Sequence, residues 1–298
     1  QTKEQKRSLQ DTIICCMIPF VVVFLSGSLI RSNQYLMKED HFPYPFVLVI
    51  SHCFFCSLFS LILLYTQPQM FPALTDPEKK VTVSLSFYAH SILPISMCFA
   101  VSLVLSNMAY MYCTVAFLQM IKQGCLVILM YMMSMIAGLE SFSLTQVAIL
   151  SVLFCATISC VEGEMHFSLL GFLVQFSAST FEGAKTIFTA LILSGKGQKL
   201  DPLSTVLVVM PLTGVLLYMV VLFNNLVVTL GFVPQPTWEE VFAWKGLLMI
   251  NIVNAFALNV SIAVFLKYLA PMTYIFVGNI KDILVVCMSA WMIHEARR

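Results

Sequence analysis

Charged residues are scarce in this sequence. Only 10% of its 298 residues are charged and 59% are hydrophobic, whereas an ordinary soluble domain carries roughly 25% charged residues. So little charge cannot cover the surface of a water-soluble protein, and we therefore predict that the chain lies in a lipid bilayer. Its formal net charge of +1 supplies no basic field, which excludes nucleic acid as a partner.

The sequence also lacks the patterns of a metal centre or a disulfide framework. Its ten cysteines fall inside apolar runs. Cys53 and Cys56 have the spacing of metal ligands, but no second cysteine pair and no histidine cluster lies near them. We interpret these two cysteines as small core residues, and we predict neither a metal nor a cofactor.

Long apolar runs are what the sequence does contain. A helix needs about 20 apolar residues to cross the hydrocarbon layer of a membrane. We find nine runs of that kind, at residues 13–36, 44–66, 88–110, 113–138, 143–161, 167–193, 203–231, 244–268 and 271–293. They are too long for strands and do not alternate with a period of two, as the wall of a barrel requires. The prediction is an all-α integral membrane protein.

Five charged residues lie deep inside the predicted spans, away from the span ends: Lys122, Glu182, Lys185, Lys281 and Asp282. A lysine at the centre of a membrane helix costs about 2.5–3.5 kcal/mol, so a partner or a water-filled cavity is expected. Lys122 has no acid in its own span, which favours binding of an anion such as phosphate over a buried ion pair. Glu182 and Lys185 share a helix face, so both a local pair and a cavity role remain open. Asp282 points about 100° away from Lys281 and is expected to reach another helix.

Two of these lysines occupy equivalent places in an internal repeat. The segment Leu118-Gln-Met-Ile-Lys122 resembles Val277-Gly-Asn-Ile-Lys281, and both lysines lie roughly 14 Å into their spans, near the bilayer midplane. They are five spans apart, and an odd number of spans inverts the second copy. Inverted repeats that meet around a midplane site are a recurring plan of transporters.

The repeat predicts two halves. Residues 1–163 form the first half, with spans one to five, and residues 164–298 form the second, with spans six to nine. The second half then has one span fewer than the first, so we expect a tenth helix that this chain lacks. Lys122 and Lys281 are expected to face one shared cavity between the halves and to hold an anion from two sides.

Several polar residues near the lysines complete a candidate site. Amide and hydroxyl groups suit the hydroxyls or base of a substrate, but they also join membrane helices to one another. Both interpretations are kept for Asn251 and Asn254 of the eighth span. The residues that we predict to line the cavity beside the lysines are Ser106, Asn107, Tyr110, Asn259 and Thr273.

The order of these motifs resembles a known family. The segments Ser106-Asn-Met-Ala-Tyr110 and Val115-Ala-Phe-Leu-Gln-Met-Ile-Lys122 are similar to the third and fourth helices of triose-phosphate translocators and their nucleotide-sugar relatives, a branch of the drug/metabolite transporter superfamily. Further similar segments, spread over nearly the whole chain, are Asn33-Gln-Tyr-Leu, Phe42-Pro-Tyr-Pro45, Gly163-Glu164, Lys199-Leu-Asp-Pro202, Ala257-Leu-Asn-Val-Ser-Ile262, Ala270-Pro-Met-Thr273 and Val277-Gly-Asn-Ile-Lys-Asp282.

The resemblance implies a fold and a mechanism. The family has ten helices in two inverted five-helix repeats, of which this chain would contain nine. It exchanges substrates by alternating access and holds phosphate with the lysines of the fourth and ninth helices, which by position are Lys122 and Lys281. Lys185 is kept as a further substrate-binding candidate.

One departure from the family pattern affects the substrate. Plastid sugar-phosphate exchangers follow the second lysine with arginine, and this chain has Asp282 there. That exchange removes a cation and adds an anion, which disfavours a free phosphate monoester of charge near −2. The Lys-Asp sequence resembles a subgroup closer to the nucleotide-sugar carriers, whose diphosphate spreads its charge over a longer ligand.

The first hypothesis is therefore an antiporter that exchanges a nucleotide sugar for a nucleotide monophosphate in the Golgi or endoplasmic reticulum membrane. The alternative is a sugar-phosphate or phosphoenolpyruvate/phosphate antiporter, as in the inner envelope of plastids. The partners in both cases are a phosphorylated small molecule, its counter-substrate and the lipid bilayer, and a homodimer is kept open. An intramembrane enzyme is disfavoured, because Glu182 and Asp282 are the acids inside the spans and neither has a histidine beside it.

Overall fold

The computed structural model describes residues 2–38, 40–78, 80–109, 112, 115–162, 168–194, 199–227, 235–274 and 276–280. Tyr110, Lys281 and Asp282 lie outside these ranges, as does the rest of the predicted ninth span beyond residue 280. The described residues contain no strand. The prediction of an all-α membrane fold is therefore confirmed.

Eight long helices make up most of the described chain. Their bounds agree with the first eight predicted spans to within a few residues at most of the ends. They are α1 (Thr2–Leu36), α2 (Pro45–Thr66), α3 (Leu93–Ala109), α4 (Val115–Ile136), α5 (Leu144–Glu162), α6 (Leu169–Ser194), α7 (Pro202–Val227) and α8 (Trp238–Tyr268). A short helix (Leu85–Phe87) and a π-helical turn (Tyr88–Ile92) lead directly into α3. Residues 271–274 and 276–280 are also helical, at the start of the ninth predicted span.

Among the described residues, five helices are long and apolar enough to cross a membrane, by length and composition: Thr12–Asn33, Pro45–Thr66, Leu85–Ala109, Pro202–Phe223 and Trp238–Tyr268. Their outer faces carry large apolar side chains, and Phe20 and Phe24 of α1 are 73% and 74% exposed. Such a surface is stable against lipid and unfavourable against water. The chain is therefore a multi-pass membrane protein.

Helix α8 begins earlier than the apolar run predicted, at Trp238 instead of residue 244. Its start is fixed by a capping box, in which the Thr237 hydroxyl accepts from the Glu240 main-chain N–H and the Glu240 carboxylate accepts from the Thr237 N–H. Glu240 also accepts a hydrogen bond from the Tyr44 hydroxyl, at 3.0 Å, just before α2 begins. That bond raises the pKa of the Tyr44 phenol. Polar residues outside the apolar run thus define this helix end.

Helix α6 lies at the centre of the bundle. It packs against α3, α4 and α8, whereas α1 packs chiefly on α8 and α2 chiefly on α7. The buried face of α6 carries many small residues, among them Gly171, Ala178, Ser179, Gly183 and Ala190. Small side chains allow membrane helices to approach closely. Any polar side chain on the inner face of α6 is therefore held inside the protein.

The segment between α2 and α3 folds back over the start of α7. The buried Asp201 carboxylate accepts hydrogen bonds from the Ser204 main-chain N–H at 2.9 Å and the Ser204 hydroxyl at 2.6 Å. It also accepts from the Ala73 N–H, at 3.1 Å. Asp201 therefore caps α7 and holds the preceding segment against it.

Candidate functional site

An ion pair joins the fourth and sixth helices inside the bundle. The Lys122 ammonium on α4 lies 2.8 Å from a carboxylate oxygen of Glu182 on α6. Each side chain is 33% exposed, so the pair is only partly buried. The sequence favoured a ligand role for Lys122 because its own span carries no acid. The structure supplies the acid from a neighbouring helix, which that reasoning did not consider.

Lys185 lies one turn further along α6, and its ammonium sits over the ring of Phe99 on α3, 3.6 Å from the ring centroid. A desolvated cation–π contact of this kind contributes about 2 kcal/mol. Within the described part of the chain, Lys185 forms an ion pair with no carboxylate. Of the two roles left open by the sequence, the local pair with Glu182 is therefore not formed, because that carboxylate contacts Lys122 instead.

A small cavity with polar and apolar walls lies beside Glu182 and Lys185. Its volume is about 70 Å³, and it is bounded by α3, α6, α7, α8 and the helical turn at 271–274. The polar side chains in its wall are Glu182, Lys185, Thr186, Thr189, Thr205, Asn259 and Tyr274. The structure thus brings together an anion, a cation and several neutral polar groups at one place in the bundle.

The threonine hydroxyls in this wall already donate to main-chain carbonyls four residues earlier in the chain. Thr186 donates to Glu182 O at 2.9 Å, Thr189 to Lys185 O at 2.8 Å and Thr205 to Asp201 O at 2.9 Å. A hydroxyl has one proton and two lone pairs. Each of these oxygens therefore offers only acceptor capacity to a group in the cavity.

The other predicted site residues are more dispersed. Asn259 lines the cavity, and its amide donates to Ala255 O at 2.9 Å and to the Cys56 sulfur at 3.9 Å. Ser106 and Asn107 are half-buried at the end of α3, and the Asn107 amide donates to Leu103 O at 2.8 Å. Thr273 is exposed and does not line the cavity. The two remaining candidates, Tyr110 and Lys281, lie outside the described residues.

A second polar cluster was not anticipated as a unit. The fully buried Asn251 of α8 donates to the Ser32 hydroxyl at 2.6 Å and to Asn33 Oδ1 at 2.7 Å, both on α1. Its Oδ1 accepts from the His52 ring nitrogen Nε2 on α2. The sequence kept Asn251 as a residue that joins helices, and the structure agrees with that role. The sequence indicated this cluster only through a polar residue in each of three apolar runs. Which of these residues pair depends on how the helices are rotated about their axes.

Cys53 and Cys56 are small core residues, as predicted. Cys53 and Cys56 are 2% and 0% exposed, and both are free thiols in the core between helices. A Cβ added to Gly214 of α7 would lie only 3.1 Å from the Cys53 Cβ. These small residues therefore allow α2 and α7 to pack closely.

Comparison with known proteins gives a consistent set of relatives. No protein-family model matches the sequence. The chain is similar to several proteins of Arabidopsis thaliana that are each described as a probable sugar phosphate/phosphate translocator. One is 30% identical over 273 residues, covering 90% of this chain and 73% of that protein. Two others are 28% and 29% identical over 277 residues, covering 92% of this chain and 77% and 78% of those proteins.

Proposed function

Because this chain belongs to the family of sugar phosphate/phosphate translocators, we propose that it exchanges a phosphorylated sugar for inorganic phosphate across a membrane. The relatives favour this substrate class, which the sequence placed second, over the nucleotide sugar that it placed first. Membership of a family of translocators also makes the chain a transporter. The identity of the cargo is what this proposal adds.

The observation that carries the proposal is the charge of the site. Of the described ionisable groups there, Lys122 and Lys185 are cations and Glu182 is the one anion, so one positive charge is in excess. An ammonium group held away from water is unfavourable until an anion approaches it. A phosphoryl group brings up to two negative charges and three acceptor oxygens. The site therefore favours phosphorylated molecules over neutral ones.

We further propose that Lys281 supplies another cation to the same cavity, and that residues 1–163 and 164–298 are the two inverted halves of the carrier. The helical turn at 271–274, at the start of the ninth predicted span, borders the cavity through Tyr274. This supports placing the following residues near the site. The polar candidates Ser106, Asn107, Tyr110, Asn259 and Thr273 would then contact the sugar part of the cargo.

The test is transport by the purified chain in liposomes. Vesicles loaded with unlabelled phosphate should take up labelled phosphate, and added sugar phosphates or phosphoenolpyruvate should compete with it. Nucleotide sugars and nucleotide monophosphates form the second arm of the competition. If only that second arm competes, the cargo proposed here is wrong and the nucleotide-sugar hypothesis replaces it.

The role of Lys122 can be tested without leaving the Glu182 carboxylate unpaired. In Lys122→Gln combined with Glu182→Gln both partners of the ion pair are neutral and similar in size, so the fold should be retained. We expect at least a roughly tenfold loss of phosphate exchange, because the phosphoryl group loses a charge-assisted hydrogen bond. Lys245→Gln, at an exposed position on α8, is the matched control. Exchange at the normal rate by the double variant would remove Lys122 from the site.

A further inference from the structure

We propose that Glu182 is a displaceable counter-ion, which competes with the cargo phosphate for Lys122 and moves to Lys185 when cargo binds. This inference rests on the proposed function and assigns a role that the proposed function leaves open. It concerns a carboxylate in a site that is expected to bind anions, where a second negative charge would otherwise only weaken binding.

The first argument is the chemical likeness of the two anions. The Glu182 oxygen lies 2.8 Å from the Lys122 ammonium, within the range of about 2.7–2.9 Å for a charge-assisted hydrogen bond. A phosphoryl oxygen would form the same contact at the same distance. Both side chains of the pair remain one-third exposed, so an incoming anion can reach them. Two anions beside one ammonium repel each other, which favours displacement of the carboxylate by the cargo.

The second argument is that a destination lies within reach. Lys185 follows Glu182 by three residues on α6, and side chains at that spacing lie on the same helix face, about 5–6 Å apart at Cβ. Its ammonium faces the Phe99 ring at 3.6 Å and, in the described residues, has no carboxylate within ion-pair distance. Glu182 can therefore change partners by rotating its side chain, while the backbone of α6 stays in place.

The third argument is that a carrier has to release what it binds. A site with only cations would hold a phosphoryl group tightly on both sides of the membrane. A carboxylate that returns to Lys122 competes with the cargo, so only the fraction of protein with a free Lys122 can bind cargo. The apparent affinity for cargo falls in proportion to that fraction. The same return restores the contact between Lys122 and a carboxylate.

The decisive variant is Glu182→Gln, which keeps the size of the side chain and removes its charge. We expect the phosphate concentration at half-maximal exchange to fall roughly five- to fiftyfold in liposomes, because a charged hydrogen bond no longer has to be broken before cargo binds. Glu239→Gln makes the same chemical change at an exposed position on α8 and should leave that concentration unchanged. A half-maximal concentration that is unchanged or raised in Glu182→Gln overturns the proposal.

Lys185→Met provides a second test, which does not depend on the folding of Glu182→Gln. Without Lys185 the carboxylate loses its destination, so the half-maximal concentration should rise at least fivefold. The same substitution added to Glu182→Gln should change it less than twofold. An equal rise in both backgrounds would indicate that Lys185 attracts phosphate directly, and no rise in either would exclude it as the destination. Both outcomes contradict the exchange of partners.

These experiments separate the inference from the function on which it rests. If the unmodified chain exchanges no phosphate, the proposed function fails and the counter-ion role fails with it. If the unmodified chain exchanges phosphate but the two Glu182 and Lys185 tests fail, only the counter-ion role is wrong. Phosphate should also raise the melting temperature of Glu182→Gln more than that of the unmodified protein at equal concentration, because tighter binding stabilises the folded state more.

Discussion

The substitution Asn251→Leu is expected to destabilise the bundle where three helices meet. Asn251 on α8 is fully buried, and its side-chain amide contacts Ser32 and Asn33 of α1 and His52 of α2. Leucine keeps the branch at Cγ but neither donates nor accepts a hydrogen bond. The substitution therefore removes the polar connection between α8 and its two neighbours without shortening the side chain.

The size of the effect follows from the number of bonds lost. Hydrogen bonds between membrane helices contribute about 0.6 kcal/mol on average and about 1.7 kcal/mol at most. Three such bonds amount to about 2 kcal/mol, and partners left without a bond in apolar surroundings raise the cost to about 2–4 kcal/mol. By the scale of soluble domains this corresponds to a decrease of roughly 5–10 °C in the melting temperature.

The chain contains its own reporters for this measurement. The buried thiols of Cys53 and Cys56 become accessible on unfolding, so a thiol-reactive fluorogenic dye follows the melting of the protein in detergent. Asn254→Leu is the matched control, because Asn254 makes one longer bond of 3.3 Å to Leu25 O, and a loss of less than roughly 2 °C is expected for it. If the two variants have the same melting temperature, the polar cluster at Asn251 does not stabilise the bundle as argued.

Two further predictions concern the packing around α7. Gly214→Ala should melt at a lower temperature than Gly183→Ala, although both substitutions gain the same helix propensity. The new methyl group at Gly214 lies 3.1 Å from the Cys53 Cβ, whereas that at Gly183 lies 3.4 Å from flexible methionine sulfurs. Equal melting would contradict the close approach of α2 and α7. Asp201→Ala should destabilise the protein by about 2–4 kcal/mol in a denaturant or thermal titration, because it removes a helix cap and leaves the Ala73 N–H without its acceptor. A loss of stability under about 0.5 kcal/mol would indicate that water replaces the carboxylate.

The helices of this fold could be predicted from the sequence because lipid leaves the backbone few choices. Every N–H and C=O in the hydrocarbon layer must be paired within its own segment, so the length of an apolar run fixes a helix. The run at 143–161 accordingly became Leu144–Glu162. The start of α8 was missed because the capping box at Thr237 and Glu240 lies in a polar stretch that contributes nothing to the apolar run.

The partners inside the site could not be predicted in the same way. The spacing of Glu182 and Lys185 suggested a local pair. Instead, Lys122 of α4 contacts the Glu182 carboxylate, and the Lys185 ammonium lies over the ring of Phe99 on α3. Which residues meet between helices depends on the rotation and depth of each helix, and these are set by packing. Apolar periodicity indicates that a face is buried, and it carries no information about which polar group on the next helix will meet it.

The neutral groups of the cavity suggest how the proposed cargo would be oriented. The hydroxyls of Thr186, Thr189 and Thr205 have already donated their protons to main-chain carbonyls, so they can only accept hydrogen bonds. Ionised phosphoryl oxygens are acceptors too and gain nothing there, whereas sugar hydroxyls can donate to them. Under the proposed function, the phosphoryl group therefore belongs on Lys122 and the sugar hydroxyls on the threonine wall. Positive charge would then supply affinity for any phosphorylated anion, and the acceptor-only wall would orient the sugar part of the cargo.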